Sequence, residues 1–244
     1  MNKWFAIVCL AVGLVACQQG IVSDDPTLRL AFSHDTVLFD TVFTTMGSST
    51  KQVMVYNPNK NAIHIDEVSM REGKYFKINL DGENNLEQLR DITLRGGDSL
   101  FLFIRTYIDP LNENSPVFIE DDIAFGVNGH VQKINLQAYG QDVILLKTKE
   151  GRTEFPSGYT FHANRPYLIY DTVLIAGKMQ IMPGATLYMH NNASIYALGS
   201  VEALGEKNAP ITIRGDRLDK LFEKVPYKYA SGQWGGLYFL HYKG

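Results

Sequence analysis

Residues 177–205 read GKMQIMPGATLYMHNNASIYALGSVEALG, and the spacing within this stretch decides the fold of the C-terminal region. Apolar residues alternate over short pieces, which is the period of a half-buried strand. Glycine or proline stands between the pieces, where a chain turns most easily. Two similar pieces, beginning at Gly177 and Gly199, lie about 22 residues apart, within the repeat periods of stacked architectures. Because a single repeat cannot bury its inner face, the pattern predicts strands that stack on one another.

Four pieces of the region 166–244 carry a more specific pattern. They are Pro183-Gly184, Gly199-Ser200-Val201, Pro210-Ile211-Thr212-Ile213 and Trp234-Gly235-Gly236. In this order they resemble the right-handed parallel β-helix of bacterial surface proteins, and the resemblance implies that 166–244 is the start of such a helix. Glycine pairs permit close approach of backbones at its corners. No capping segment follows the strand predicted from Leu237, so we expect the β-helix to be incomplete.

The region 27–142 is predicted to form an antiparallel sandwich. Apolar residues alternate in several short runs separated by turn residues, which is typical of sandwich strands. Two of these runs are Ile123, Phe125, Val127 and Ile134, Leu136, Ala138. Asn128-Gly129 stands between them and tolerates positive φ at both positions of a two-residue turn, so we expect a β-hairpin there.

Dispersed residues of this region mark a longer pattern of strands and turns. They are Asn57, Phe76, Gly96-Gly97, Pro110 and Gly140. The arrangement resembles the immunoglobulin-like domains of the ASPM/SPD-2/Hydin type, and the resemblance implies a structural or adhesive domain without chemistry of its own. Residues 143–165, which include a charged run from Lys147 to Arg152, are predicted to be a linker or cap between the two regions.

The composition is that of a globular all-β protein. Of the 244 residues, 45% are hydrophobic and 20% are charged, and the net charge of −3 gives no basic footprint for nucleic acid. The aromatic residues and 21 glycines favour β-structure with tight turns. The composition thus favours an all-β fold, and the two resemblances imply an antiparallel immunoglobulin-like sandwich followed by the first coils of a right-handed parallel β-helix.

The N-terminus carries a targeting signal. A positive charge at Lys3 precedes the apolar run from Trp4 to Val15, which is too short to span a bilayer as a helix. The run closes on Leu14-Val15-Ala16-Cys17, which resembles the lipobox of bacterial lipoproteins at all four positions. The resemblance implies a signal peptide over residues 1–16, acylation of Cys17, and a lipidated tether over residues 17–26. The alternatives are an ordinary secretory signal with a chance cysteine and an uncleaved anchor.

Lipidation of Cys17 determines the expected location. Several acyl chains on one cysteine anchor a protein to a membrane without crossing it. Gln18 is not the aspartate that retains some lipoproteins at the inner membrane, which favours the outer membrane, and Ser23-Asp24-Asp25 resembles the surface-export signals of Bacteroidetes lipoproteins. The other cysteine, Cys9, lies in the segment that is removed, so the mature chain has no disulfide and no catalytic cysteine.

No catalytic, cofactor-binding or metal site is predicted. The histidines are scattered singly, without the spacing of paired metal ligands, and we interpret them as surface or turn residues. They are His34, His64, His130, His162, His190 and His241. Gly96-Gly97 and Gly235-Gly236 lack the helix and lysine that follow a phosphate-binding loop.

Carboxylates cluster at two places. Asp216, Asp219 and Glu223 offer the paired carboxyl groups that glycosidic cleavage needs. Apolar residues around them have helical spacing and predict a short amphipathic helix with its charges in solvent. These residues are Leu218, Leu221, Phe222 and Val225. Glu120-Asp121-Asp122 offers oxygen ligands for calcium or marks a solvated start of a strand, and we favour the second interpretation.

Two short motifs suggest surface roles. Arg214-Gly215-Asp216 spells the integrin-binding tripeptide, which we interpret as a chance match. Four Asp-Ser/Thr-apolar triplets resemble the O-glycosylation sites of Bacteroidetes proteins, although threonine is also common in plain strands. They are Asp35-Thr36-Val37, Asp40-Thr41-Val42, Asp98-Ser99-Leu100 and Asp171-Thr172-Val173.

These features lead to one functional hypothesis and two alternatives. We expect a non-catalytic lipoprotein, anchored in the outer membrane by its acyl chains, with a structural, adhesive or glycan- or partner-binding role at the cell surface. A solenoid surface suits extended ligands, which supports this role. One alternative is the N-terminal fragment of a β-helix polysaccharide lyase or glycoside hydrolase whose catalytic coils are missing, and the other is a pseudogene fragment without function.

Overall fold

The protein is all-β, as the sequence predicts. The computed structural model describes residues 22–222 and 224–240, so the predicted signal peptide, Cys17, Glu223 and His241 lie outside the described residues. The described residues divide into two compact units, one comprising residues 22–37, 50–104 and 121–135, the other comprising residues 38–49, 105–120, 136–222 and 224–240. Within the described ranges, no helix has the length and hydropathy of a membrane span.

The strands fall into an antiparallel group and a parallel group. The first group is β1 (Ala31–Phe32), β2 (Thr36–Phe43), β3 (Lys51–Tyr56), β4 (Ile63–Met70), β5 (Phe76–Leu80), β6 (Arg90–Leu94), β7 (Ser99–Thr106), β8 (Val117–Val127) and β9 (His130–Gln141). The second group is β10 (Ile144–Leu146), β11 (Arg152–Phe155), β12 (Gly158–Phe161), β13 (Tyr167–Ile169), β14 (Thr172–Ile175), β15 (Lys178–Ile181), β16 (Thr186–Met189), β17 (Ser194–Ala197), β18 (Val201–Ala203), β19 (Thr212–Gly215) and β22 (Gly236–Phe239). A two-stranded ribbon, β20 (Lys220–Phe222) and β21 (Val225–Pro226), lies between β19 and β22.

The antiparallel strands form two sheets. One sheet has the order β1-β3-β7-β5 and the other has the order β2-β9-β8-β4-β6. Phe32 of the first sheet meets Phe125 of the second, with ring centroids 5.2 Å apart, and buried apolar residues alternate with exposed or half-buried polar residues along β5. The predicted hairpin is confirmed, since β8 and β9 flank Asn128 and Gly129, whose φ values are 48° and 77°.

Asn57 holds one end of the sheets together. Its side chain is buried, and its Nδ2 donates to the carbonyl oxygens of Asn61, Leu94 and Arg95 at 2.9, 3.0 and 3.1 Å. Its Oδ1 accepts a hydrogen bond from the backbone N–H of Asn59 at 3.0 Å. One amide side chain thereby satisfies several backbone groups that would otherwise be buried without partners.

The parallel strands form three sheets that the chain visits in a fixed order. The sheets are β10-β13-β16-β19, β11-β14-β17-β22 and β12-β15-β18, and we call each visit to the three sheets in turn a pass. Met179 pairs with Val201, so the two glycine-led pieces of the sequence lie side by side as predicted. Residues facing inward along these strands form one apolar core, which includes Val173, Ile195 and Leu187.

The first pass lies in the segment that was predicted to be a linker or cap. Residues 143–165 contain β10, β11 and β12, each paired in parallel with a strand of the next pass. Charged residues concealed these strands from the sequence pattern, because Arg152 and Glu154 lie on the outer face of β11, where they form an ion pair with each other. The parallel arrangement therefore begins at Ile144 rather than near residue 166.

The predicted amphipathic helix around residues 216–225 is wrong. Lys220–Phe222 and Val225–Pro226 pair as antiparallel strands instead. Arg217 closes the loop that leads into this ribbon, because its guanidinium donates to Asp219 and lies 3.8 Å from the Tyr227 ring centroid. Pro226 lacks the N–H that a helix would need at that position. Helical spacing over so few residues was outweighed by these local contacts.

Aromatic rings fill the interior of the first pass. Phe155 and Tyr159 have centroids 4.0 Å apart, Tyr159 and Phe161 4.9 Å, and Phe161 and Tyr167 5.0 Å. The Tyr167 hydroxyl accepts a hydrogen bond from the backbone N–H of His162. Burial raises the pKa of Tyr159 to about 12, and the neighbouring Tyr167 adds to the shift.

Replacement of Tyr159 by phenylalanine should reduce the loss of stability at alkaline pH. The folded-state pKa of Tyr159 is raised above the unfolded value of about 10, so its contribution is intact below pH 10 and is lost as the pH rises from about 10 to 12. Urea unfolding at several pH values should show a shallower decline for Tyr159→Phe. Tyr229→Phe, at a side chain that is 71% exposed, is the control; equal slopes for both variants and the parent would contradict the prediction.

Candidate functional site

Four side chains from successive passes stack at one corner of the parallel sheets. Lys147, Tyr170, His190 and Asp216 each follow directly after a strand of the sheet β10-β13-β16-β19. Backbone hydrogen bonds keep them in line: the N–H of Tyr170 donates to Leu146, that of His190 to Ile169, and that of Asp216 to Met189, at 3.0, 2.8 and 3.0 Å. We call these four residues the corner column.

Direct contacts join all four members of the corner column. The Lys147 ammonium lies 3.9 Å from the centroid of the Tyr170 ring. The Tyr170 and His190 rings are stacked, with centroids 3.9 Å apart and planes 12° apart. His190 Nδ1 lies 2.6 Å from Asp216 Oδ2. The carboxylate therefore fixes the orientation of the imidazole and leaves Nε2 as the other ring nitrogen for contact with a ligand.

Two adjoining hollows lie beside the corner column. One, of about 430 Å³, is lined by Tyr170, Asp171, Thr172, His190, Asn191 and Asn192, together with Gly151. The other, of about 550 Å³, is lined by Glu150, Gly151, Arg152, Glu154 and Thr172. Gly151 and Thr172 line both hollows, so the two adjoin, and we call them together the polar groove. Three successive passes contribute to its wall.

The chemistry of the polar groove suits a ligand rich in hydroxyl groups. Asp171 has one carboxylate oxygen engaged by the backbone N–H of Thr148 at 3.1 Å. Asn191 and Asn192 add amide donors and acceptors from an exposed turn, and Asn191 has a φ of 40°, which asparagine tolerates better than most residues. Carboxylates and amides at neighbouring positions supply the acceptors and donors that vicinal hydroxyls require.

The acidic candidates of the sequence are engaged elsewhere and do not converge. Asp216 contacts His190, and Asp219 accepts two hydrogen bonds from Arg217. In the tripeptide that matches the integrin motif, Asp216 is therefore engaged by His190. Arg214 of the same tripeptide donates to the carbonyl oxygen of Arg217. The described residues of this segment present no free pair of carboxylates for glycosidic cleavage.

The Asp121-Asp122 pair is buried, contrary to the expectation of a solvated strand start. Asp121 and Asp122 are 5% and 8% exposed. Asp121 accepts hydrogen bonds from the backbone N–H groups of Glu72 and Gly73, and Asp122 pairs with Lys133 at 3.1 Å. Their charges are thus satisfied by the sheet itself. Among the described residues, no cluster of three acidic, histidine or cysteine side chains has metal-binding geometry.

Most described histidines lie singly, as predicted, but His190 does not. His64 has Asp91 and Asp66 nearby at 3.4 and 3.9 Å on the surface, and His34 contacts Ser33. His190 and Asp216 are 26 positions apart in the sequence, so no local motif joins them. Alignment of the repeats would have found them, because each follows the last residue of an equivalent strand. The four O-glycosylation triplets stay predictions, and Thr172 of one of them lines the polar groove.

Comparisons with known proteins support only a coarse assignment. No protein-family model matches the chain, and no curated protein matches it. One similar solved structure is a family 123 glycoside hydrolase from Clostridium perfringens, with 7% identity over 48% of this chain and 28% of that chain and a TM-score of 0.35. Another is a PapD-like domain of human CEP192, with 11% identity over 50% of this chain and 89% of that chain and a TM-score of 0.33. The periplasmic chaperone SfaE is similar at 18% identity over 48% of this chain and 60% of that chain, with a TM-score of 0.30. The chain spans less than two thirds of the hydrolase and of the chaperone, and all three likenesses are confined to a part of the all-β fold.

Removal of the Tyr170 ring should destabilise the corner column. Tyr170→Ala deletes both the stacking with His190 and the cation–π contact with Lys147, and we expect a loss of about 1–2 kcal/mol in the free energy of unfolding. Tyr170→Phe keeps the ring and should lose much less. Urea unfolding of the two variants checks this; equal losses would show that the hydroxyl, and not the stack, stabilises the corner.

Proposed function

We propose that the chain is a non-catalytic lipoprotein of the outer membrane, in which an immunoglobulin-like sandwich precedes a right-handed parallel β-helix whose polar groove binds an extended glycan. Three parallel sheets visited in a fixed order support the β-helix. Connections between parallel strands of one sheet are right-handed in nearly all proteins, which supports the handedness. The assignments of the two parts as an immunoglobulin-like sandwich and a β-helix rest on the resemblances in the sequence.

The observation that carries the binding role is the continuity of the polar groove across three passes. Successive strands in a parallel sheet are about 4.8 Å apart, so groups from three passes form an extended row and not a single point. The two hollows, of about 430 and 550 Å³, have the size of small-ligand sites. An extended chain of polar, hydroxyl-bearing units suits a row of groups with this lining.

The location rests on the lipobox. Leu14-Val15-Ala16-Cys17 supports acylation of Cys17, and Gln18 together with Ser23-Asp24-Asp25 supports surface exposure on an outer membrane of the Bacteroidetes kind. A glycan-binding groove is useful on such a surface, where the protein meets polysaccharides outside the cell.

An enzymatic role is the second candidate, because one pair of residues favours it. His190 is oriented by Asp216 at the edge of the polar groove, which is how a general base is commonly held. Among the described residues, the His190 side chain bonds to Asp216 and to no hydroxyl nucleophile. The role would be proton transfer in a polysaccharide lyase or glycoside hydrolase.

Replacement of Cys17 by alanine should release the protein from membranes. The variant lacks the thiol that takes up the lipid, and the apolar run before it is too short to hold the chain as a span. Fractionation of cells that express parent and variant checks this. Retention of Cys17→Ala in the detergent-extracted membrane fraction would refute the lipid anchor.

Replacement of Asn192 by alanine should weaken glycan binding about tenfold, or about 1.4 kcal/mol, because one donor and one acceptor leave the groove. Asn208→Ala is the matched control, since Asn208 is also an exposed turn residue but does not line the groove. A panel of polysaccharides, screened by affinity electrophoresis and followed by calorimetry, provides the measurement. Equal affinity of both variants would exclude the groove as the site, and shortened or unsaturated products would favour the enzyme.

A further inference from the structure

The first described residues are fixed to one end of the sandwich, although they were predicted to belong to a free tether. Val22 forms a parallel bridge with Ala62, and the N–H of Ser23 donates to the carbonyl oxygen of Ala62 at 3.0 Å. Asn128 Nδ2 donates to the carbonyl oxygens of Ser23 and Asp25 at 2.9 and 2.8 Å. The chain therefore leaves the sandwich at a defined point.

A side-chain turn strengthens this attachment. Asp25 Oδ1 accepts hydrogen bonds from the backbone N–H and the hydroxyl of Thr27, at 2.8 and 2.7 Å. These two hydrogen bonds hold the pKa of Asp25 below its usual value, and the one from the backbone N–H has the larger effect. Leu28 N–H also donates to the carbonyl oxygen of Asp25. The segment from residue 22 to 28 is thus part of the folded unit, and only a short stretch separates it from Cys17.

The length of that stretch limits how far the sandwich can lie from an acylated Cys17. Five residue steps join Cys17 to Val22, and a fully extended chain covers at most about 18 Å over that number. Strand β4 begins at Ile63, directly after Ala62, and its eight residues run about 26 Å. The end of β4 at Met70 therefore lies farther from the exit point than the tether can reach.

The same end of the unit carries three loops. Tyr56 ends β3, Ser99 begins β7 and Val127 ends β8, so the loops 57–62 and 95–98 and the hairpin tip 128–129 lie near Ala62. Hydrogen bonds confirm the grouping: Gly97 N–H donates to the Asn57 carbonyl oxygen and Asn57 N–H to that of Asp98, both at 2.9 Å. We call these three loops the tether face.

We infer that the tether face is the membrane-facing surface of the protein and that its partner is the phosphate-bearing headgroup layer of the membrane that holds the acyl chains. This inference rests on the proposed lipidation of Cys17. Lys60 and Arg95 are exposed on this face and suit phosphate oxygens. Asp24, Asp25 and Asp98 are also exposed there, so the face has no net positive charge from Lys60 and Arg95, and the short tether sets the orientation while the loops contact headgroups.

Quenching by lipid-borne nitroxide tests the orientation. A fluorophore is attached to a cysteine introduced by Lys60→Cys on the tether face or by Glu72→Cys beyond Met70, both at exposed positions. The acylated protein is reconstituted in vesicles of phosphatidylethanolamine and phosphatidylglycerol with headgroup nitroxide. We expect severalfold stronger quenching at position 60 than at position 72; equal or reversed quenching would overturn the inference.

Two further variants separate this inference from the proposed anchor. An insertion of a long glycine-serine segment between Gly20 and Ile21 should keep the protein on the vesicles and abolish the difference between the two labels, and a persisting difference would contradict the role of tether length. Cys17→Ala should not bind the vesicles. If the parent also fails to bind, the anchor itself is refuted, whereas binding without preferred orientation refutes only the tether face.

Discussion

Close backbone contact at one corner of the parallel sheets is the constraint on which the rest of that region depends. A Cβ atom on Gly199 would collide with the carbonyl oxygen of Gly177, and one on Gly177 would lie 2.5 Å from the carbonyl carbon of Ser157. Gly158, at the same corner, has a φ of 100°, which side chains rarely permit. Each pass rests directly on the backbone of the one before, and the register of all three sheets follows from that contact.

The corner column is built in the opposite way. Large side chains, not glycines, meet there, and each is brought into line by the backbone hydrogen bonds that the glycine corner keeps in register. The stack of Tyr170 on His190 thus depends on contacts made elsewhere in the same pass. A repeating backbone can therefore present a row of unlike side chains, and the polar groove takes its chemistry from this variation.

The sequence predicts those parts of the fold in which local rules and tertiary packing agree. Asn128-Gly129 has the turn chemistry of a hairpin, and the structure has one. Val225 and its neighbours have helical spacing but pair as a ribbon, since contacts with Arg217 outweigh propensity over a few residues. The first pass was missed because its outward charges mask the alternation. His190 and Asp216 are brought together only because successive passes lie on one another, and no local motif encodes this contact. The location of the lipid anchor stays a prediction.

The ribbon lies in an excursion of the chain between β19 and β22. The parallel pairing of β22 with β17 is regular despite this excursion. Ile195 pairs with Leu237, and the Gly235 N–H donates to the carbonyl oxygen of Ala193 at 2.9 Å, so the chain resumes the stack in register after residues 216–235. Register is thus kept across an excursion of this length. This position can accept an inserted peptide or a reporter domain, whereas a single added residue within β17 would turn its apolar side chains outward.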